Sequence, residues 1–357
     1  MDRRDFLKLA GGGAVIATSS GTVEARGNLE VSDEAVGMLF DATRCIGCRA
    51  CVVTCKDING MPPEKATEAE PWDMAQELSA DTLNIIKAYK GPENSASTNS
   101  TAETDVSENP GFEFIKRNCM HCVDAGCVSV CPVSAMEKDP KTGIVSHDPD
   151  ACIGCRYCVA ACPYNIPKYE YDEAMGQIQK CQLCNQKGVE RIDKGQLPGC
   201  AEVCPTGANI YGKRSDLLAE AKRRMALKPG DPYVYKLGSI DSPHGQEGLI
   251  PEYQANIYGE KEGGGTQVLL LAGNSYQTLG MPDIPERSYA SVSETVQHSI
   301  YGNFLAPAAV LGGLLYMARR NLNEDGQDDD HKKEDEHGGA ELGCVDRTST
   351  RKTEDRS

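Results

Sequence analysis

Apolar positions along the chain come mostly in short runs, which predict isolated strands and one surface helix. The segments "NIIKAYK" from Asn84 and "TQVLLLAG" from Thr266 are rich in apolar residues over the length of a strand. The segment "SDLLAEAKRRMALKPG" predicts a helix with Ser215 as its N-cap and an end before Gly230. We expect the lysines and arginines of this helix to lie on a solvated face.

One longer apolar run covers residues 300–318 and is just long enough to cross about 30 Å of hydrocarbon. Pro307 lies within it, but proline is tolerated in membrane helices. Two arginines follow at once, so the positive-inside rule puts the C-terminal side in the cytoplasm. We expect a transmembrane helix over 298–320 rather than a buried helix of a soluble domain. Its charged continuation, 321–357, has no apolar periodicity and is expected to be a disordered acidic tail.

The N-terminus, "MDRRDFLKLAGGGAVIATSSGTVEA", resembles a twin-arginine export signal. An arginine pair, a short apolar stretch and a small-residue cleavage pattern ending at Ala25 follow in that order. Asp2 stands where serine or threonine is usual, and the alternative is a frayed basic N-terminus. An export signal over 1–25 and a C-terminal anchor agree on location. They predict a protein on the periplasmic side of a bacterial inner membrane, with a single-pass anchor and a cytoplasmic tail.

Charge and composition narrow the function further. The formal net charge is −16 over 357 residues, which argues against nucleic acid as a partner because phosphate binding needs a basic face. Aromatic residues are scarce, whereas there are 17 cysteines. All but Cys344 fall into four groups of four. The groups are Cys45/Cys48/Cys51/Cys55, Cys119/Cys122/Cys127/Cys131, Cys152/Cys155/Cys158/Cys162 and Cys181/Cys184/Cys200/Cys204.

The spacing within these groups favours iron–sulfur clusters over disulfides or zinc. Disulfide scaffolds scatter their cysteines, and zinc sites usually bring two C-x2-C pairs together. Groups one and three instead read C-x2-C-x2-C-x3-C, the run typical of bacterial ferredoxins, in which the fourth cysteine binds the other cluster of a pair. A proline follows the last cysteine of groups two, three and four, whereas Lys56 follows Cys55 in group one. With sixteen cysteines in place, four [4Fe–4S] clusters are expected.

Residues between the cysteines fit the same chemistry. Gly47 and Gly154 precede a cysteine where the backbone must come close to an inorganic core. Ile46 and Ile153 are expected to shield that core from water, and loop N–H groups to donate to sulfur. His121 lies between two cysteines and is expected to be a bystander, although it could hydrogen-bond a sulfur.

Sequence alone leaves open which groups pair. The turn signal "DPKTG" between groups two and three predicts a hairpin that could bring those two groups together. The gap between groups three and four is of similar length, so spacing does not decide.

A family resemblance adds to this. The order of the groups resembles the four-cluster subunits of membrane-associated molybdopterin and [NiFe]-hydrogenase oxidoreductases. The stretches "RNCMHCVDAGCVSVCPVSAMEKDPKTGIV", "CIGCRYCVAACPYNIPKYEY", "KCQLCNQKGVERIDKGQLPGCAEVCPTGA" and "YGEKEGGGTQVLLLAG" are similar to iron–sulfur subunits of the hydrogenase-2 type. The resemblance implies an α+β fold with two nested bacterial-ferredoxin-like two-cluster modules and long insertions, to which the C-terminal transmembrane helix adds.

The same resemblance implies domain limits and ligand sets. A four-cluster domain would cover 26–230, with an inner module over 113–170, an outer module over 38–60 plus 175–212, and an insertion over 61–111. An extension over 231–297 would pack on it and lead to the anchor. The implied ligand sets are Cys45, Cys48, Cys51 and Cys204; Cys181, Cys184, Cys200 and Cys55; Cys119, Cys122, Cys127 and Cys162; and Cys152, Cys155, Cys158 and Cys131.

The implied function is electron transfer without bond-making chemistry. The chain would relay electrons between a periplasmic [NiFe] hydrogenase, with its large and small subunits, and an integral membrane subunit that binds quinone. The alternative within the family is the equivalent subunit of a formate dehydrogenase or another periplasmic molybdopterin oxidoreductase. A binding module with structural zinc is less favoured because of the cysteine spacing, and a self-contained enzyme because the sequence offers no substrate-site motif.

Overall fold

A computed structural model of the chain describes residues 26–64, 77–90, 112–303 and 307–320. The chain divides into one unit over Glu24–Gln297 and a second formed by Met1–Val23 with His298–Ser357. The four cysteine groups all lie in the first unit. The expected export signal, the acidic tail and most of the 61–111 insertion lie outside the described residues.

Short elements joined by long loops make up the described part. The strands are β1 Val36–Asp41, β2 Ile85–Lys90, β3 Phe112–Arg117, β4 Met136–Lys138, β5 Val145–His147, β6 Lys168–Tyr169, β7 Ile178–Gln179, β8 Asn209–Lys213, β9 Pro232–Lys236, β10 Gly245–Leu249 and β11 Val268–Leu271. The α-helices are α1 Ala50–Ile58, α2 Gly126–Ser129, α3 Tyr157–Ala161, α4 Gly199–Glu202, α5 Arg214–Ala226 and α6 Tyr289–Asn303.

The largest sheet has the strand order β11-β1-β8 and joins distant parts of the sequence. Strand β1 pairs in parallel with β11, so that Leu39 lies opposite Leu269, and antiparallel with β8, where Leu39 lies opposite Ile210. All three of these side chains are buried, in the apolar cluster under α5. The sheet therefore ties the segment after residue 231 to the strands that flank the first and fourth cysteine groups.

The predicted strands at 84–90 and 266–273 are confirmed as β2 and β11. The predicted helix is confirmed as α5, but Lys213 occupies its N-cap position and Ser215 lies in its first turn. The expectation of a solvated basic face was wrong for Arg224. Its guanidinium is wholly buried and bonds Glu220 at 2.8 Å and Asp41 at 3.1 Å, because two carboxylates compensate the charge inside the fold.

Two helix pairs bring the cysteine groups together. Helix α1 packs against α4, and α2 packs against α3. Gly199 makes the first approach possible, because a Cβ there would stand 2.2 Å from the Ile58 side chain. Since α1 carries Cys51 and Cys55 of group one and α4 carries Cys200 of group four, the contact joins the first group to the last. The second helix pair joins groups two and three. The hairpin predicted at "DPKTG" is confirmed as β4–β5.

The expected membrane anchor remains a prediction. Helix α6 ends at Asn303, residues 307–320 are again helical, and residues 304–306 between them are not described. Across the parts of the chain that the structure describes, no helix is both long enough and apolar enough to span a bilayer.

Candidate metal centres

The cysteines converge into four sites, each made from two sequence groups. In three of the sites, one thiol (Cys45, Cys122 or Cys158) interacts electrostatically with the three others. In the fourth, Cys55 interacts with Cys184 and Cys200, and Cys181 interacts with all three of these. We name these sites A to D. Site A holds Cys45, Cys48, Cys51 and Cys204; site B holds Cys55, Cys181, Cys184 and Cys200; site C holds Cys119, Cys122, Cys127 and Cys162; and site D holds Cys131, Cys152, Cys155 and Cys158.

Electrostatic interactions between thiols of different sites arrange the sites in a series. The thiol of Cys51 in site A interacts with Cys200 in site B. Cys181 in site B interacts with Cys119 in site C. The thiol of Cys127 in site C then interacts with Cys158 in site D. Sites A and D, each built mainly from one of the two "CIGCR" copies, therefore stand at the ends of the series.

All four groups share one backbone feature that the sequence shows in only two of them. The residue before the second cysteine has a left-handed φ in every group: Gly47 at 68°, Gly154 at 69°, His121 at 47° and Leu183 at 54°. Only glycine takes this conformation without strain, so His121 and Leu183 are held there by the surrounding fold. Aligning the four C-x2-C pairs is the signal that would have identified these two residues.

Main-chain N–H groups donate to the cysteine sulfurs, as predicted. The N–H of Gly47 donates to Cys45, and that of Gly199 donates to Cys184. The sulfur of Cys162 receives three such bonds, from the residues that follow Pro163. These donors favour a negatively charged sulfur, which is the form that binds iron.

The donor set fits an iron–sulfur core. Burial, with a smaller contribution from the neighbouring thiols, raises the pKa of Cys45, Cys51, Cys55 and Cys127 to about 12. Four thiolates in such a place need a cation among them, and a bound metal removes the thiol proton outright. Among the described residues, no three His, Cys, Asp or Glu side chains are arranged around a single ion. A [4Fe–4S] core asks for a different arrangement, since each thiolate binds its own iron.

The two end sites open into cavities. The cavity at site A is lined by five cysteines, the four of site A and Cys200 of site B, together with Ile86 and Thr206. The cavity at site D is lined by the four cysteines of that site and by His147, whose Nε2 is buried and has no hydrogen-bond partner among the described residues. Each cavity is bordered by the isoleucine of its "CIGCR" copy.

Ile46 and Ile153, which were expected to shield the cores from water, line the cavities at sites A and D. Ile46 is 48% exposed and Ile153 is 61% exposed, because the loops that carry them lie at the surface. The two side chains therefore also form apolar surface beside the end sites, and their shielding of the cores stays a prediction.

His121 is wholly buried beside site C. Its Nδ1 accepts a hydrogen bond of 3.0 Å from the N–H of Val145, so in its neutral form Nε2 carries the proton. Burial lowers the pKa of His121 well below its ordinary value, and Lys180 and Lys138 lower it further. The imidazole is therefore held neutral, with Nε2 unpartnered among the described residues.

Lys56 explains why group one lacks the proline. Helix α1 runs past Cys55 to Ile58, so position 56 is inside a helix, where proline would break a backbone hydrogen bond. In group three, by contrast, α3 ends at Ala161, before the proline. The buried ammonium of Lys56 bonds Pro62 O at 3.0 Å and Asp81 O at 2.8 Å, and pairs with Glu64 at 2.7 Å. Sequence reasoning missed the role of this residue, which fastens the start of the insertion and the segment at Asp81 to helix α1.

Comparison with known proteins agrees with the cysteine chemistry. Two models of a 4Fe-4S dicluster domain match the chain, one over residues 44–135 and the other over 111–214. The first range holds cysteine groups one and two, and the second holds groups two, three and four.

Curated relatives cover most of the chain. The hydrogenase-2 operon protein HybA of Escherichia coli O157:H7 is 48% identical over 336 residues, which are 93% of this chain and 100% of that protein. The protein NrfC of Escherichia coli K12 is 32% identical over 66% of this chain and 91% of its own length. The iron-sulfur subunit of the nitrate-inducible formate dehydrogenase of the same organism is 29% identical over 79% of this chain and 82% of its own length. The chain therefore belongs to the HybA family, as a non-catalytic electron-transfer protein with four [4Fe–4S] clusters.

Proposed function

We propose that sites A to D are the ligand sets of the four clusters. Support comes from the way the thiols are grouped in the structure. Each site takes three cysteines from one sequence group and the last cysteine of another group. When bound, each cluster takes up and releases one electron. The chain's own residues hold the thiolates, donate N–H bonds to them and exclude water around sites B and C.

We propose further that the sites act in the order A–B–C–D. The observation that carries this is the set of electrostatic interactions Cys51–Cys200, Cys181–Cys119 and Cys127–Cys158, each of which links neighbouring sites. A partner exchanging electrons at either end would meet a site with an exposed edge.

The partners that best fit are a [NiFe] hydrogenase, with its large and small subunits, and an integral membrane subunit that binds quinone. The support is the similarity to a hydrogenase-2 operon protein over 93% of the chain. The test is to purify the native complex and compare hydrogen-dependent with formate-dependent quinone reduction. Nickel with hydrogen-dependent activity is expected; molybdenum without nickel would favour the second candidate, a formate dehydrogenase subunit, which the 29% identical relative supports.

Metal analysis tests the ligand sets. The purified chain should contain about sixteen iron atoms and as much acid-labile sulfide. Replacing the site D ligand in Cys155→Ala should lower the iron content to about twelve. The matched control is Cys344→Ala, at the cysteine outside the four groups. Unchanged iron in Cys155→Ala, or an equal loss in Cys344→Ala, would contradict the assignment.

We also propose that the chain is exported through its arginine pair and held on the periplasmic side of the inner membrane by segment 298–320. The support is the order of features in residues 1–25 and the apolar sequence of 300–318 with its flanking arginines. Replacing Arg3 and Arg4 with lysine should leave cluster-loaded protein in the cytoplasm. The full chain should stay in the membrane fraction after an alkaline wash, whereas a chain that ends at residue 297 should be released.

A further inference from the structure

Lys116 is a buried cation between two of the cluster sites. It lies on β3, two residues after Phe114, so the two side chains share a face of the strand. The Phe114 ring borders the loop at Gly47, where an added Cβ would stand 2.5 Å from it. This face of β3 therefore looks onto the loop that carries Cys45 and Cys48 of site A.

The ammonium of Lys116 faces sulfur rather than oxygen. The residue is 2% exposed, and among the described residues no oxygen or nitrogen acceptor bonds its Nζ. The ammonium interacts electrostatically with the thiols of Cys200, Cys51 and Cys181. Its charge also acts to lower the pKa of the Cys55 and Cys184 thiols. Its neighbours thus belong to both site A and site B.

Two lysines, Lys138 and Lys180, lie beside the inner pair of sites, and their ammonium groups bond main-chain carbonyl oxygens. Lys138 Nζ bonds Cys122 O at 3.1 Å and Gly143 O at 2.7 Å. Lys180 Nζ bonds two main-chain carbonyl groups, one of them at 3.2 Å. Both ammonium groups also act on thiols of site C, Lys138 on Cys122 and Lys180 on Cys127, but unlike Lys116 each is bonded to main-chain oxygen.

A buried cation without a carboxylate is costly unless negative charge lies nearby. A site that gains an electron becomes one unit more negative, so a fixed positive charge stabilises its reduced form. Net charge near a cluster is one of the factors that set its potential.

We propose that Lys116 is a positioning residue for electron transfer that raises the reduction potentials of the outer pair of clusters, at sites A and B. The inference rests on the proposed ligand sets but not on the identity of the electron donor. It predicts that removing the charge makes two of the four clusters harder to reduce and leaves the other two unchanged.

The test is a potentiometric titration followed by electron paramagnetic resonance, on the full-length protein in detergent. In Lys116→Met, the equilibrium constant for reduction should fall at least tenfold for two clusters, or about 59 mV for a one-electron couple. Lys116→Gln keeps a hydrogen-bond donor without the charge and should give the same fall, whereas Lys116→Arg should stay near the unaltered protein. The matched control is Lys87→Met, which removes a lysine from the partner strand β2, where it pairs with Glu77.

Several results would overturn the proposal. Unchanged potentials in both neutral variants would do so, as would an equal fall in all four couples or a fall in Lys87→Met. Loss of clusters in the neutral and arginine variants alike would show a purely structural role. Since the titration uses a chemical reductant, its result stands whether hydrogen or formate is the source of electrons, and hydrogen-dependent activity separately tests the proposed partner.

Discussion

Replacing Lys56 with proline would give group one the same C-x3-C-P ending as the other three groups. The structure predicts that this apparent repair destabilises the protein. Position 56 is the seventh residue of α1, and the helix continues to Ile58. A proline there removes the hydrogen bond to the carbonyl four residues earlier, and its ring clashes with that carbonyl.

The cost follows from two separate losses. Proline inside a helix costs about 3 kcal/mol or more. The ammonium of Lys56 also satisfies two carbonyl groups, at Pro62 and Asp81, and a hydrogen bond to a charged group contributes about 1.5–3 kcal/mol. The total cost of Lys56→Pro is therefore about 6 kcal/mol or more, whereas Lys56→Met keeps the helix and should cost about 3 kcal/mol.

Urea unfolding of the cluster-loaded, full-length protein can measure this. Helical circular dichroism and the visible absorbance of the clusters report on the fold and on the cofactors. Because cluster loss makes unfolding irreversible, midpoints should be compared after one fixed incubation time. The matched control is Pro163→Lys, at the proline that follows the end of α3, which should cost about 1 kcal/mol or less.

The expected order of midpoints is Lys56→Pro lowest, then Lys56→Met, then Pro163→Lys close to the unaltered protein. A midpoint for Lys56→Pro at or above that of the unaltered protein would refute the reasoning. Equal midpoints for the proline and methionine variants would show that the ammonium bonds matter and the helical position does not.

Two further predictions concern a loop glycine and a buried ion pair. Gly47→Ala should lower the free energy of unfolding by about 3 kcal/mol and weaken iron retention at site A. Gly60→Ala is the control and should lower it by about 1 kcal/mol. Both glycines have a left-handed φ, but only Gly47 lacks room for a Cβ. Burial raises the pKa of Asp124, but hydrogen bonds from Arg26 and Ser288 outweigh it, so its pKa lies below the ordinary value. Asp124 thus stabilises the fold above the ordinary carboxyl pKa and loses that effect as the pH falls through its own lower pKa. Arg26→Gln should lower the urea midpoint at pH 7, and its difference from the unaltered protein should close below about pH 4; a constant difference would contradict this.

The sequence by itself determined the cofactor and several local elements. Cysteine type and short spacing are local properties, so the C-x2-C pairs and the C-x3-C endings indicated [4Fe–4S] clusters before any fold was known. The strands β2 and β11, the β4–β5 hairpin and helix α5 were predictable for the same reason, because each depends on neighbouring residues.

Only the tertiary structure decided what distant residues do. The approach of α1 to α4 and of α2 to α3 depends on packing between segments far apart in sequence, which spacing left open. The same applies to charge: Lys56, Lys116 and Arg224 look like ordinary surface cations in the sequence, yet all three are buried. A buried cation is tolerated only where carbonyls, thiols or carboxylates from other elements converge on it, and that convergence exists only in the folded chain.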